Sequence, residues 1–229
     1  MKCFHTSSTQ PVEQEGNFVK IPSWKRGVDF TCIVLAAPIV LPVGLLIALI
    51  VKIASRGPVL FYQERVGYLG KNFHCMKFRT MHVNAETQVH AAHLADLISS
   101  NQPMTKLDTH DNRVIPFGRI LRATGLDELP QLINVLKGEM SLVGPRPCLP
   151  YEYERYLPRH RGRCATLPGL TGLWQVNGKN RTTFEEMIDL DLDYCQKKSV
   201  WLDLKIMAMT IPAIFVQVWD TLKRKAAAR

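Results

Sequence analysis

No two of the six cysteines stand in a C-x-x-C pair; Cys3, Cys32, Cys75, Cys148, Cys164 and Cys195 are scattered along the chain. Zinc sites and disulfide scaffolds need tighter frameworks, so this spacing favours reduced thiols in a protein that faces the cytosol. A cleavable signal peptide is missing as well. The first twenty residues are polar and carry His5, Glu13 and Glu15, and the apolar run behind them starts late and lacks a small-residue cleavage site. Acids are scarce, 20 against 29 lysines and arginines, and the formal charge of +9 implies an anionic partner: nucleic acid, lipid headgroup or phosphorylated substrate. Helix-turn-helix, RNA-recognition and zinc patterns are all absent, which argues against nucleic acid. His82, His90, His93 and His110 have no cysteine or carboxylate set to complete a metal site. There is no internal repeat.

Charge is also absent from Phe30 to Val51, 22 residues that would extend roughly 33 Å as a helix. Pro38 and Pro42 lie near the middle, each removing a backbone donor, and Gly44 follows. Lys25 and Arg26 flank one end, Lys52 and Arg56 the other, so the positive-inside rule places both ends in the cytoplasm. A re-entrant segment that kinks at the prolines satisfies all three features. A kinked spanning helix and a buried core helix are the alternatives. Asp29 stands three residues after Arg26, a spacing that would pair them on a helix.

Beyond Gly57-Pro58 the pattern changes. Val59–Val66 and Phe73–Met81 read as two strands of a hairpin around Gly67–Gly70. Lys77 and Arg79 share one face of the second strand and could meet an anion there, or simply face solvent. A helix is expected around Glu86–Ser99. Leu129, Leu132, Ile133 and Leu136 form an apolar stripe that Gly138 terminates, and Thr124 precedes Asp127 at capping-box spacing. Tyr151–Tyr156 and Phe184–Gln196 read as helices, whereas Leu167–Gly178 is too turn-rich for a long element. Val200–Leu222 is an apolar-rich helix with Trp201 and Trp219 near its ends and Lys223-Arg-Lys225 beyond, a composition suited to anionic lipid or to packing on the core. The fold class is therefore α+β, predominantly helical. Its expected parts are a flexible tail (1–20), a re-entrant helix-turn-helix (21–58), a cytosolic catalytic domain with the hairpin (59–199) and an interfacial helix with a basic tail (200–229).

The chemistry concentrates between Arg119 and Pro147. Asp127 and Glu128 are adjacent acids that follow Arg119 and Arg122, and a Gly144-Pro-Arg-Pro147 turn presents Arg146. Carboxylates able to hold a divalent cation, set among arginines able to hold phosphate oxygens, suggest reaction at a phosphate ester. A carboxylate is a competent nucleophile toward phosphorus. Acids in a first helical turn also serve as plain dipole-favoured caps. On the residues alone both readings stand.

The chain resembles the bacterial sugar transferases, the monotopic phosphoglycosyl transferases. The likeness runs from about Lys25 to Val218, through Lys25-Arg26-x-x-Asp29, Pro42, Gly57-Pro58-Val59, Lys77-Phe-Arg-Thr-Met81, Arg122–Gln131, Asn134–Gly138, Met140–Pro147, Pro168-Gly-Leu-Thr-Gly172 and Gln175-Val-Asn-Gly178. The resemblance implies transfer of a sugar 1-phosphate from a UDP-sugar to polyprenyl (undecaprenyl) phosphate, with release of UMP, at the start of O-antigen, capsule, exopolysaccharide or glycoprotein glycan assembly. It implies Asp127 as nucleophile of a phosphosugar-enzyme intermediate, Glu128 and Asp127 with magnesium, and Arg122 and Arg146 on phosphate, with Lys77 and Arg79 as weaker candidates. It implies a break of the membrane helix at Pro42, helped by Pro38. The implied location is the cytoplasmic face of the bacterial inner membrane, on anionic lipid and without nucleic acid. Two positions depart from the family: Leu41 replaces the serine before the kink proline, and Leu167 replaces a cation before Pro-Gly-x-Thr-Gly. Large members carry extra spanning helices in front, so a minimal form is expected here. A catalytically silent membrane-anchored scaffold of the same fold is the alternative.

Overall fold

The computed structural model describes residues 20–82, 100, 102–104, 113–178 and 181–227, with side chains described as far as Trp219. The expected tail up to residue 19, the helix expected at Glu86–Ser99, His90, His93 and His110, and the side chains of Lys223, Arg224 and Lys225 lie outside the described residues.

Helix α1, Ser23–Ala54, has 32 residues and extends about 48 Å at 1.5 Å per residue. Pro38 and Pro42 lie inside it, and the backbone stays helical through both. Pro38 removes the donor for the Val34 carbonyl, and Pro42 the donor for that of Pro38. One face of α1 touches the rest of the chain along its length. Ile33 packs with Phe73, Cys75, Val135 and Met140. Farther on, Val43, Ile47, Ala48 and Val51 pack with Phe78, Ile115 and Leu121. The opposite face exposes Leu35, Ile39, Leu41, Leu45, Leu46, Leu49 and Ile53. Both ends of the apolar helix thus rest on one body while its outer face is bare of polar cover.

That body is built from short elements. Strands β1 (Leu60–Val66) and β2 (Asn72–Phe78) pair antiparallel in the expected hairpin, with Phe61 opposite Lys77 and Arg65 opposite Phe73. Two further strands, β3 (Ser141–Val143) and β4 (Gly169–Thr171), pair in parallel, a contact that sequence patterning did not foresee. Helices α2 (Gly118–Thr124) and α3 (Gln131–Lys137) flank a single 3-10 turn, Leu126–Glu128. Gly138, at φ 84°, ends α3 as its sequence position suggested. Helices α4 (Pro150–Glu154), α5 (Pro158–Arg161) and α6 (Leu173–Val176) are each about a turn long. Helix α7 (Phe184–Lys197) begins with a complete capping box, Thr183 with Glu186, and α8 (Val200–Ala227) closes the order. The main core gathers Val66, Tyr156, Trp174, Phe184, Met187 and Ile188 between the hairpin, α4 and α7.

Two local expectations are corrected. Thr124 does not cap the acids that follow it. It is the last residue of α2, and its hydroxyl donates back to the carbonyls of Ile120 and Leu121. Arg26 and Asp29 do not pair. Arg26 donates to the Val135 and Leu136 carbonyls at the end of α3, and Asp29 accepts from Ser141 Oγ and the Leu142 amide.

Lys25 is the joint between these parts. It is 1% exposed, and its Nζ donates to the Val143 carbonyl, to Tyr194 on α7 and, at 2.5 Å, to Asp203 on α8. Removing one partner of a buried pair strands the other charge, at about 3–5 kcal/mol. Lys25→Met is expected to lower the unfolding free energy of the detergent-solubilised protein by about that amount, with much of the loss recovered in Lys25→Met/Asp203→Leu. Denaturant titration of the two variants checks this.

Candidate active site

The two acids sit where α2 ends and α3 has not begun. Gly125 adopts φ 74°, a conformation that costs a residue with a side chain about 1–2 kcal/mol, and the reversal it permits starts the 3-10 turn Leu126–Glu128. The acids therefore do not open a regular helix, and the expected helix N-terminus beside them is absent. The turn is held by Glu128 N donating to the Gly125 carbonyl and Leu129 N to that of Leu126. Within it the two side chains differ. Asp127 is 8% exposed, while the Glu128 side chain is a third exposed and accepts from Lys77 Nζ at 2.9 Å. Lys77 comes from β2, whose position is fixed by Asn134: its side chain accepts from Met76 N and donates to the His74 carbonyl.

Arg146 stands on a loop that is gripped from several sides. Gly144 N donates to Thr171 O, and Gly169 N to Pro145 O, extending the β3–β4 pairing into the turn. Arg163 donates to the Arg146 carbonyl, and Arg65 to that of Pro147. The Arg146 amide donates to Asp191. Its guanidinium meets the fully buried Glu152 with two nitrogens, at 2.9 and 3.4 Å, and the side chain remains about a fifth exposed. Burial opposes ionisation of Glu152, but Arg146 and Arg65 outweigh it and hold the carboxyl below its ordinary range. Asp191 is buried in a short ion pair with Arg163, and burial pushes its carboxyl up to about 6 against the pull of that arginine.

Arg65 links the two halves. Burial and the neighbouring Arg146 lower its proton affinity, while Glu152 and Glu128 act in the other direction. The chain thus brings together Lys77, Glu128, Arg65 and Arg146 in one electrostatic neighbourhood, with Asp127 beside Glu128. Arg122 lies half-buried on α2, one turn before the dyad. Arg79 is turned elsewhere: β2 ends at Phe78, and Arg79 is 5% exposed with its guanidinium on the Arg56 and Ser55 carbonyls at the end of α1. Two of its guanidinium nitrogens are thus engaged by the main chain. Leu167, where the resemblance leads one to expect a cation, is 2% exposed. Asp127 and Glu128 offer the one or two carboxylates through which magnesium is ordinarily held, the rest of its shell being water and substrate phosphate. Among the described residues no three or more histidines, cysteines or acids gather as a metal site.

Arg65, Arg163, Glu152 and Asp191 were not picked out from sequence. For Asp191 a signal existed, since it falls on the apolar stripe Phe184, Met187, Ile188 and Tyr194 of α7. A carboxylate at a core-facing helical position needs a buried cation. The other three act through tertiary contacts that no local pattern encodes.

Replacing Glu152 by Gln leaves Arg146 without its counter-charge. A loss of about 2–3 kcal/mol is expected at neutral pH, below the full buried-pair value because the arginine is partly exposed. Glu152 has a lowered folded value, so its contribution is complete above about pH 4.5, the ordinary carboxyl value, and is lost as pH falls through the folded value. Denaturation midpoints between pH 3 and 7 are expected to fall less steeply in Glu152→Gln than in the wild type.

Residues 21–217 match the family described as bacterial sugar transferase. The galactosyl transferase CpsE of Streptococcus agalactiae is 43% identical over 185 residues, which are 76% of this chain and 40% of that one. The exopolysaccharide production protein ExoY of Sinorhizobium fredii is 37% identical, with 83% of this chain and 84% of the relative aligned. The UDP-glucose:undecaprenyl-phosphate glucose-1-phosphate transferase of Caulobacter vibrioides is 39% identical, covering 83% and 69% respectively. The chain thus spans well under half of the first relative and more than two thirds of the other two.

Proposed function

The chain belongs to the bacterial sugar transferase family, and from that premise we propose that it moves a sugar 1-phosphate from a UDP-sugar to a polyprenyl phosphate at a membrane surface. The observation that carries this reading is the arrangement around Asp127. A buried carboxylate stands beside a Glu128–Lys77 pair, in the neighbourhood of Arg65 and Arg146, on a body that also carries the bare apolar face of α1. The names of the relatives agree, since one is a glucose-1-phosphate transferase acting on undecaprenyl phosphate and another serves exopolysaccharide production.

In the proposed reaction an Asp127 carboxylate oxygen attacks the phosphorus that bears the sugar. The pyrophosphate P–O bond breaks, UMP leaves with its electron pair, and an acyl phosphate remains on Asp127. A phosphate oxygen of the polyprenyl acceptor then attacks the same phosphorus, and the bond to Asp127 breaks to restore the carboxylate. Burial keeps water from Asp127 and so from the acyl phosphate. Lys77 neutralises Glu128 and thereby limits repulsion between that acid and an incoming anion. The guanidinium of Arg146 has donors beyond the two that Glu152 engages, and these suit phosphate oxygens. Magnesium, held by Glu128 and Asp127, would supply charge neutralisation at the phosphates.

The acceptor requires a membrane, and the course of α1 supports one-sided attachment. Its inner face contacts the same body at Ile33 and again at Ile47 and Val51, so a bilayer cannot separate its ends without breaking those contacts. The helix runs unbroken through both prolines here, and the carbonyls of Val34 and Pro38, to which those prolines cannot donate, are where a re-entrant course would bend. Exposed Trp201, Ile211, Phe215 and Trp219 let α8 lie in the interface beside it.

Release of UMP from a panel of UDP-sugars, with magnesium and undecaprenyl phosphate, tests the reaction. Wild type is expected to turn over one or more donors, and Asp127→Asn to lose on the order of 10³-fold or more while still partitioning to membranes. Full activity in Asp127→Asn would remove Asp127 as nucleophile. For the topology, tags at Met1 and Arg229 are both expected to be protected in intact spheroplasts and exposed on lysis. Access to one of them from outside would replace the re-entrant course by a spanning one.

A further inference from the structure

The ion pair between Arg163 and Asp191 has a geometry that pairing alone does not explain. Both side chains are sealed from solvent. An arginine and a carboxylate satisfy each other best as a fork, two nitrogens on two oxygens. Arg146 and Glu152 meet in that form, Nη1 on Oε2 and Nη2 on Oε1. Arg163 and Asp191 do not. Nη2 of Arg163 alone reaches Oδ2 of Asp191, while Nη1 donates to the Tyr156 hydroxyl at 2.8 Å. Among the described residues, Asp191 Oδ1 and Arg163 Nε are buried without a hydrogen-bond partner. Each unpaired polar atom carries a desolvation cost, so one on either side of the pair calls for a reason outside it.

The remaining contacts supply that reason. Nη2 of Arg163 also donates to the Arg146 carbonyl at 2.9 Å, and Oδ2 of Asp191 also accepts from the Arg146 amide at 3.4 Å. One nitrogen and one oxygen, bonded to each other, thus hold both main-chain polar groups of a single residue. The two halves of this ring come from elements outside the loop. Asp191 stands on the core-facing stripe of α7 with Met187, Ile188 and Tyr194. Arg163 stands on the 3-10 turn Gly162–Ala165, and its carbonyl accepts from Cys195 Sγ of α7 at 3.7 Å. The main chain at Arg146 is therefore referenced to a helix of the core.

We propose that Arg163 and Asp191 are positioning residues, a clamp on the Arg146 peptide that aims the Arg146 guanidinium at the phosphate oxygens of a substrate. The aim rests on the transferase reading, whereas the clamp does not. Arg163 is 2% exposed and Asp191 fully buried, so neither touches a substrate and both act through Arg146.

The work is divided along the side chain. Glu152 holds the guanidinium at the far end, the clamp holds the main chain at the near end, and Arg65 holds the next carbonyl, that of Pro147. A side chain fixed at both ends presents its unengaged donors in one direction, and donors held in place before an anion arrives need no reorganisation to receive it. Glu152 alone does not secure this. It lies only six residues beyond Arg146, so a loop freed at its main chain can move with that pair intact. The unpaired Oδ1 and Nε are the cost of holding a peptide in place of a fork.

Two variants of the full chain in detergent test the clamp. Arg163→Lys keeps a charge opposite Asp191 but has one nitrogen for three acceptors, and Arg163→Met/Asp191→Leu removes both charges, so neither strands a buried ion. Both are expected to unfold cooperatively. Amide exchange in the segment 144–148 is expected to quicken several-fold in each, while that of 187–195 on α7 stays slow. In UMP release, kcat/KM is expected to fall by about 10²-fold, the scale of a misplaced contact. Arg146→Lys, which keeps a charge facing Glu152, is expected to fall comparably, and its combination with Arg163→Lys to lose almost nothing more, because both act through one guanidinium. A raised KM for the UDP-sugar would place the aimed phosphate on the donor, and a raised KM for undecaprenyl phosphate on the acceptor. Losses that multiply in the combination would overturn the positioning role. Unchanged exchange at 144–148 in both variants would overturn the clamp. A wild type that releases no UMP from any donor would reject the transferase reading and with it the aim, and exchange at 144–148 would then decide the clamp alone.

Discussion

The structure turns on a buried ammonium group. Lys25, near the start of the apolar helix α1, donates to the carbonyl of Val143, to Tyr194 and to Asp203. Those acceptors belong to β3, α7 and α8, so one side chain ties four elements together. A buried ion pair contributes little net stability against an apolar replacement, but any arrangement that separates its partners is heavily disfavoured. Rotating α1 by even one residue would swing Lys25 some 100° away from all three acceptors. The pair therefore fixes which face of α1 meets the body and which meets lipid. It also holds Val143, immediately before the Gly144–Pro147 loop, so the geometry of membrane attachment and that of the Arg146 loop share a support.

A second constraint follows from charge. A basic chain must keep its cations from repelling one another. Here they are assigned to acids in pairs: Lys77 with Glu128, Arg146 with Glu152, Arg163 with Asp191. The pairs are graded by burial. Arg163 and Asp191 are both sealed and serve the loop, whereas Arg146 and Lys77 keep about a fifth of their side chains in contact with solvent. A guanidinium that spends two donors on a buried carboxylate has its plane fixed and still has donors free, which preorganises it for an anion without reorganisation on binding.

The sequence disclosed what local chemistry dictates. The hairpin followed from two short β-rich runs around a glycine turn, the end of α3 from Gly138, and α7 and α8 from helical periodicity. It misled where a local rule had a tertiary competitor. Thr124 has capping-box spacing to Asp127, yet it lies inside α2, where a threonine hydroxyl bonds back to the preceding turn. Lys77 and Arg79 share strand parity, but the strand stops between them, and the carbonyls freed at the end of α1 capture Arg79. The parallel contact of β3 with β4 was invisible because three-residue strands carry no readable period. Motif recognition located the dyad and Arg146. It could not show that Arg65 bonds the Pro147 carbonyl beside Arg146, because that depends on the hairpin and the loop meeting in space.

The proposed transfer, between a soluble nucleotide donor and a lipid acceptor, would pose opposite solvation demands at one atom. A nucleotide would arrive from water, while a polyprenyl chain would remain in hydrocarbon. Helix α2 bears on both. Phe117 and Ile120 at its start are about 60% exposed, and its last turn carries Arg122 and leads through Gly125 to Asp127. Ile120 and Asp127 are seven residues apart, with the Gly125 reversal between the exposed apolar side chain and the buried carboxylate. The exposed apolar face of α1 and the exposed tryptophans of α8 extend the same apolar surface. In the proposed reaction a headgroup phosphate at that depth would lie in a region of reduced dielectric, where Lys77, Arg65 and Arg146 would act on it more strongly than in bulk water. The short, irregular elements around the dyad suit the proposed reaction, since a long helix or strand would carry the carboxylate away from the apolar surface.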